Sequence, residues 1–411
     1  MAEILKLVTV EEAFRAFLPQ VNKDLQGTEV VDLSVALNRV LAEDIVSGVD
    51  VPGFHRSTVD GIAVMARDTF GASESLPALV DIAGEVFMGQ DAGIQLAPGI
   101  GVKIPTGGML PVNADAVVMI EYVEAFDDRT VGINRPVAPG ENMVRAGEDV
   151  AVGQHVLNRG HRLRPQDIGA LAGIGITEVK VFEVVRVGII STGDEVVDPA
   201  KEPGPGQVRD INSYALAAQV EEIGGQVTRY GIIPDTFEDL YQVTARALQE
   251  NHLVVLSGGS SVGTRDNSAK VINELGSPGV VVHGVSIRPG KPTILGIVNG
   301  QPLFGLPGHP ASAMVIFDIF VKPVIQALQG LSPDSRQPVI RARLSRNMAS
   351  GSGREDHVRV ALVERDGELW AEPILGKSGL ITTMVQANGV FRIPLHKEGV
   401  QAGEIVEVRI F

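Results

Sequence analysis

Asp194-Glu195 and Asp235 each stand just beyond a short apolar run, and a third such run opens into Ser257-Gly258-Gly259-Ser260-Ser261-Val262-Gly263, with Asp266 three residues on. A glycine-rich loop at that place offers backbone amides and hydroxyls to a phosphate or a similar anion. Carboxylates beside such a cradle repel the anion unless a divalent cation lies between them, and Mg²⁺ with its oxygen ligands suits the arrangement. A single loop aspartate more often caps the helix that follows it, but four acids on one edge favour the cation. Arg288-Pro289-Gly290-Lys291-Pro292 adds two cations in a proline-stiffened turn, Arg able to clamp an oxyanion bidentately and Lys acting as a point charge. The eight histidines include no i, i+4 pair, which disfavours zinc, and His309 is the one most clearly placed in a loop. No G-x-x-x-x-G-K-[ST] or G-x-G-x-x-G stands in the glycine loop, so a P-loop NTPase and a Rossmann dehydrogenase both lose ground.

Repeated strand, loop and helix units must position these groups. Strands are predicted at Val185–Ile190, Val227–Ile233, Leu253–Leu256 and Leu303–Phe304, and helices at Asn212–Ile223, Phe237–Gln249, Asn267–Leu275 and Ala311–Leu328. The strands end at Ser191-Thr192-Gly193-Asp194-Glu195, at Pro234-Asp235, at the glycine loop and at Gly305-Leu306-Pro307-Gly308-His309-Pro310. In an open parallel sheet these carboxyl ends share one edge, which is the ligand crevice, so the four loops converge.

The rest of the chain has other textures. Thr9 and Glu12 fit a capping box before a helix at Val10–Leu18, and helical spacing recurs over Leu33–Ile45. Val51 to Gly61 breaks the periodicity with proline, glycine and polar side chains. Short β-like segments follow, clearest at Ile100–Ile104 and Ala116–Val123, before a helix at Pro165–Gly173. The expected architecture is α/β multidomain: a helical scaffold (1–48 plus 141–178), an inserted β domain (49–140), a central open α/β sheet domain (179–330) and a C-terminal small β-barrel (331–411). A net charge of −15 argues against nucleic acid or an anionic membrane as partner. No run of about 18 apolar residues occurs, and the expectation is a cytoplasmic protein. Without cysteine, any sulfur chemistry belongs to a ligand.

Val51-Pro52-Gly53-Phe54, Ser57-Thr58-Val59-Asp60-Gly61, Pro105-Thr106-Gly107, Arg145 with Gly147-Glu148-Asp149, the Ser191 and Ser257 loops, Pro289-Gly290-Lys291-Pro292 and Gly305-Leu306-Pro307-Gly308 occur in this order. Together they closely resemble the molybdopterin molybdenumtransferases, a family of molybdenum-cofactor biosynthesis that also forms the C-terminal part of gephyrin. The resemblance implies a homodimer that brings adenylylated molybdopterin and molybdate together and releases AMP with Mg²⁺. A molybdopterin adenylyltransferase becomes a possible partner. By motif position, Glu195, Asp235 and Asp266 would surround the metal. Thr192, Gly193, Asp194, Ser257, Gly258, Gly259, Ser261, Pro307 and Gly308 would bind the nucleotide, and Arg145, Arg288 and Lys291 would neutralise phosphate or molybdate. Asp60, Thr106 and Asp149 would reach the site from the partner subunit, and Asp60, Asp149, Glu195 and Asp266 are the catalytic candidates. Departures from the pattern are His55 in place of the usual Asp, Ile62 in place of Tyr, Val144 and Ala146 in a stretch often richer in Arg, and Gly284 where some members carry Lys. The competing readings are an adenylyltransferase-type nucleotide pyrophosphate enzyme that uses the sheet domain alone, and a non-catalytic scaffold.

Overall fold

The structure, a computed structural model, describes residues 7–22, 25, 27–258, 267–331 and 338–411. Its centre is a six-stranded sheet in the order Gln226–Ile233, Arg186–Thr192, Leu253–Ser257, Gln301–Leu306, Ile294–Val298, Pro278–His283. The first four strands are parallel, so their carboxyl ends lie on one edge as the sequence implied, and the last two add an antiparallel border. Leu253–Ser257 is buried along its whole length, which is why it lacks polar alternation. Helices Asn212–Glu222, Phe237–Glu250 and Asn267–Leu275 form where the periodicity placed them.

Pro310–Leu328 is helical throughout but changes to π geometry at Phe317–Val321. It is the one described helix long and apolar enough to cross a membrane, yet 72% of it is buried, with Phe317, Phe320 and Val324 in the core of the sheet domain. The capping box of the first helix, Val10–Phe17, is formed: the Glu12 amide donates to Thr9 Oγ1 (3.1 Å) and the Thr9 amide to the Glu12 carboxylate (2.8 Å). Its buried Ala13 and Phe17 pack in the core of the central sheet, Phe17 lying 5.4 Å from the Phe304 ring. This helix therefore serves the sheet domain and not the scaffold expected for it.

The helix expected over Leu33–Ile45 does not form. Asp32 caps a single 3₁₀ turn, Leu33–Val35, and the chain then passes through Asn38 at φ 65°, a left-handed conformation that no α-helix can continue through. Ala36, Leu41 and Ile45 are buried because separate short segments bring them to one core with Leu163, Leu171 and Val181. That core sits between the antiparallel pairs Thr28–Asp32 with Glu178–Phe182 and Ile45–Val46 with His155–Leu157, beside the helix Pro165–Gly173.

Between these pairs lies a curled six-stranded sheet, with Gly61–Val64 flanked by Ala116–Met119 and Ile100–Ile104. A Cβ on Gly61 would strike the Val118 carbonyl, so glycine must follow Asp60 where the loop enters the sheet. The C-terminal body is a closed five-stranded barrel: Glu355–Arg365 pairs with both Glu368–Pro373 and Gly389–Ile393, and Val339–Leu344 and Ile405–Ile410 complete the circuit. Ile287–Arg288, a short strand of the sheet domain, adds in parallel to Glu355–Asp356 of the barrel.

Candidate functional site

The carboxyl ends of three parallel strands meet in register, Ser191 opposite Ser257 and Ser257 opposite Leu306. Beyond Ser257 the Gly258 amide donates to the Leu306 carbonyl at 3.2 Å. Gly258 has φ 107°, and a Cβ there would run into the Thr192 carbonyl, so the loop leaves its strand pressed against the neighbouring one. The helix Asn212–Glu222 begins at the same edge. Asp210 accepts from the Ser213 amide (3.1 Å) and hydroxyl (2.6 Å), satisfying part of the first turn. Asn212 Nδ2 donates to Ser257 Oγ (2.7 Å) and to the Gly308 carbonyl (2.9 Å), tying three loops together.

The result is a cleft of about 550 Å³ whose walls include Ser191, Thr192, Glu195, Asn212, Ser257, Gly258, Pro307 and Gly308. Ser191 Oγ, Thr192 Oγ1 and Asn212 Oδ1 are buried here without a hydrogen-bond partner among the described residues. Each such group costs about 1–3 kcal/mol while unsatisfied. Of the predicted nucleotide loop, Gly259 and Ser261 lie outside the described residues, as does Asp266.

The acids are drawn together in part. Asp194 Oδ1 accepts weakly from the Asp235 amide (3.4 Å), and Asn267, next in sequence to Asp266, donates from Nδ2 to the Asp235 carbonyl (2.8 Å). Glu195 lines the cleft, and its carboxylate folds over Gly193, within 2.9 Å of where a Cβ would stand. The donors are oxygen only, which fits Mg²⁺ and not a soft metal. Among the described residues no three acidic or histidine side chains gather into a closed metal site.

A second cavity, of about 1050 Å³, lies between the sheet domain and the barrel and shares Pro292, Pro307 and His309 with the first. Arg288 and Lys291 line it from one side, Arg354, Arg359 and Lys377 from the other. In a chain of net charge −15 this is a marked local excess of cations. Buried Asp356 organises two of them, at 2.9 Å from Arg354 and 3.7 Å from Arg288. Arg359 donates to Thr383 Oγ1 (2.6 Å) and the Gly376 carbonyl (3.0 Å), and burial lowers its pKa below the ordinary guanidinium range. The Ser378 hydroxyl meets His309 Nδ1 at 2.9 Å across the domain boundary. Sequence reading singled out Arg288, Lys291 and His309 but missed Asn212, Arg354, Asp356 and Ser378. The last three fall in or beside the turn-rich stretches Ala349–Asp356 and Lys377–Thr383, whose charge was the available signal.

The first-half candidates form a separate group. The Thr106 amide donates to Asp60 Oδ1 (2.7 Å) and the Gly107 amide to the Ser57 carbonyl (2.8 Å). The Asp149 amide donates to the Val51 carbonyl (3.0 Å), the Arg145 amide to the Glu148 carboxylate (2.8 Å) and the Ala146 amide to His55 Nδ1 (3.0 Å). His55 thus spends its acceptor nitrogen on joining two loops, with the ring proton on Nε2. The side chains of Asp60, Arg145 and Asp149 are exposed. Among the described residues, none between 8 and 190 lines either cavity.

Comparison with known proteins agrees with this organisation. Residues 8–175 match the MoeA N-terminal region (domain I and II), 188–327 a "probable molybdopterin binding domain", and 341–411 the MoeA C-terminal region (domain IV). The chain is 33% identical over 407 residues to the molybdopterin molybdenumtransferase of Haemophilus influenzae, covering 98% of this chain and 99% of the relative. It is 33% identical over 385 residues to that of Bacillus subtilis, covering 93% and 89%. The crystal structure of a molybdopterin biosynthesis moea protein from Pyrococcus horikoshii superposes with a TM-score of 0.83 at 38% identity, covering 98% of this chain and 99% of that one. With its domain models in order and relatives matched almost end to end, the chain belongs to the MoeA family of molybdopterin molybdenumtransferases.

Proposed function

We propose that this protein inserts molybdate into adenylylated molybdopterin and releases AMP, forming the molybdenum cofactor. The observation that carries this reading is the pair of adjoining cavities. One is lined by hydroxyls and backbone donors, the other by arginine and lysine, and both share Pro292, Pro307 and His309. Thr192, Ser257 and Gly258, continued by Gly259 and Ser261, take the pyrophosphate of the pterin nucleotide. Arg288 and Lys291 hold the molybdate oxyanion beside it, where positioning two anions within reach of each other is most of the catalytic task. Glu195 and Asp235, with Asp266, would hold Mg²⁺, which when bound offsets charge on the phosphate oxygens as the anhydride breaks. The dithiolene sulfurs that receive the metal come with the substrate, as a cysteine-free chain requires.

The Asp60, Thr106 and Asp149 group completes the site from a second copy of the chain, which makes the working form a homodimer. A cytoplasmic molybdopterin adenylyltransferase is the enzyme class that would supply the substrate. Purified protein given adenylylated molybdopterin, Mg²⁺ and molybdate is expected to release AMP and to yield cofactor that activates a molybdenum-free apoenzyme. AMP release indifferent to molybdate would instead assign the protein to nucleotide pyrophosphate cleavage, and no release at all would favour a scaffold.

A further inference from the structure

We propose that His309 is a further catalytic residue, which carries protons from the dithiol of the pterin to the molybdate oxygen that leaves as water. The inference rests on the function proposed above. Two sulfurs take the place of one oxygen in that reaction: a dithiol and MoO₄²⁻ give a dianionic dithiolene-bound MoO₃ unit and one water. Molybdenum keeps its oxidation state, two Mo–S bonds replace one Mo–O bond, and both thiol protons end in the water. A group placed where thiol and oxyanion meet must therefore take up a proton and give it away again.

His309 stands at that meeting point. It is exposed and lines both the cleft assigned to the pterin nucleotide and the cationic cavity assigned to molybdate. Its Nδ1 lies 2.9 Å from the Ser378 hydroxyl, and Nε2 has no partner among the described residues. Ser378 Oγ can accept from Nδ1–H, which leaves the Nε2 lone pair to take a thiol proton, and the same bond persists while Nε2 carries that proton to the oxygen. His55 shows the contrast, since its Nδ1 accepts from the Ala146 amide and no basic nitrogen is left over. The other titratable groups around the two cavities are committed. His357 is bound through Nε2 to Glu355 at 2.7 Å, its side chain only 7% exposed. Asp356 engages Arg354 and Arg288, and Asp210 accepts from Ser213. Guanidinium and ammonium groups hold their protons near neutral pH, so the cations of the cavity bind the oxyanion without exchanging protons with it.

The test is single-turnover cofactor formation by the intact protein charged with adenylylated molybdopterin and mixed with molybdate. His309→Ala is expected to slow this step about 100-fold, with dissociation constants for molybdopterin and molybdate within about 3-fold of the wild type. Added imidazole should recover part of the lost rate, and substituted imidazoles should do so in an order set by their basicity. His309→Asn, a good helix cap that can still hydrogen-bond to Ser378 but exchanges no proton, should fold and remain slow. It carries the comparison should His309→Ala fail to fold. Ser378→Ala, which frees the ring but leaves its nitrogens, should slow the step about 10-fold and gain nothing from imidazole. A wild-type rate in His309→Ala, full activity in His309→Asn, or a loss that no imidazole restores would overturn the inference while leaving the proposed function standing. Wild-type protein that forms no cofactor would overturn both.

Discussion

At the scale of single residues, the site divides by charge. Lys291 stands in a cavity where Asp356 already engages Arg354 and Arg288, so it is the cation of the Arg288–Lys291 turn with no carboxylate partner described for it. Lys291→Ala is expected to raise the KM for molybdate by about 10-fold or more while the affinity for AMP stays near that of the wild type, a contrast steady-state kinetics and calorimetry would measure. Equal losses for both ligands would mean that Lys291 serves the nucleotide. Arg288 and Lys291 were legible in the sequence because two cations in a proline-stiffened turn stand out in an acidic chain. Asn212 was not, because an asparagine at a helix start reads as a cap until Ser257 and Gly308 are seen beside it.

At the scale of elements, the helix Pro165–Gly173 was read correctly from its proline and glycine ends, and its anchor is Asp167. Burial raises the Asp167 pKa, but hydrogen bonds from Arg164 and His161 outweigh it and hold the carboxyl well below its ordinary 3.8. A depressed carboxylate stabilises the fold above that ordinary value and loses its contribution as pH falls below it. Asp167→Ala is therefore expected to lower stability by about 1–2 kcal/mol at neutral pH, read from the denaturant midpoint, with the difference shrinking in acid. A variant equally destabilised at low pH would contradict this assignment. The missed element, Leu33–Ile45, fails for a reason that periodicity cannot report. Its buried residues share a core through tertiary bridges such as Leu41 to Val181, not along one face of a helix.

At the scale of the whole molecule, the sheet domain and the barrel were legible as textures, and the contact between them was not. Pairing of Ile287–Arg288 with Glu355–Asp356 joins segments far apart in sequence, and no local pattern announces it. The separation of the Asp60 group from both cavities gives the dimer its test. Mixing inactive Asp60→Asn and Glu195→Ala chains under exchange conditions should restore about a quarter of wild-type AMP release, since half the dimers are mixed and each holds one intact site. No recovery, with exchange verified by mass, would place every catalytic group within one chain.

The strand Ile287–Arg288 also bears on how the molecule comes apart. It belongs in sequence to the sheet domain and in hydrogen bonding to the barrel, while Asp318 of the long core helix reaches Arg409 of the barrel at 3.4 Å. Neither body can lose its structure without exposing backbone and charge that the other had satisfied. Heat or denaturant should therefore melt the two as a single cooperative unit, whereas the curled sheet between the scaffold segments, with its own two cores, is free to unfold on its own terms.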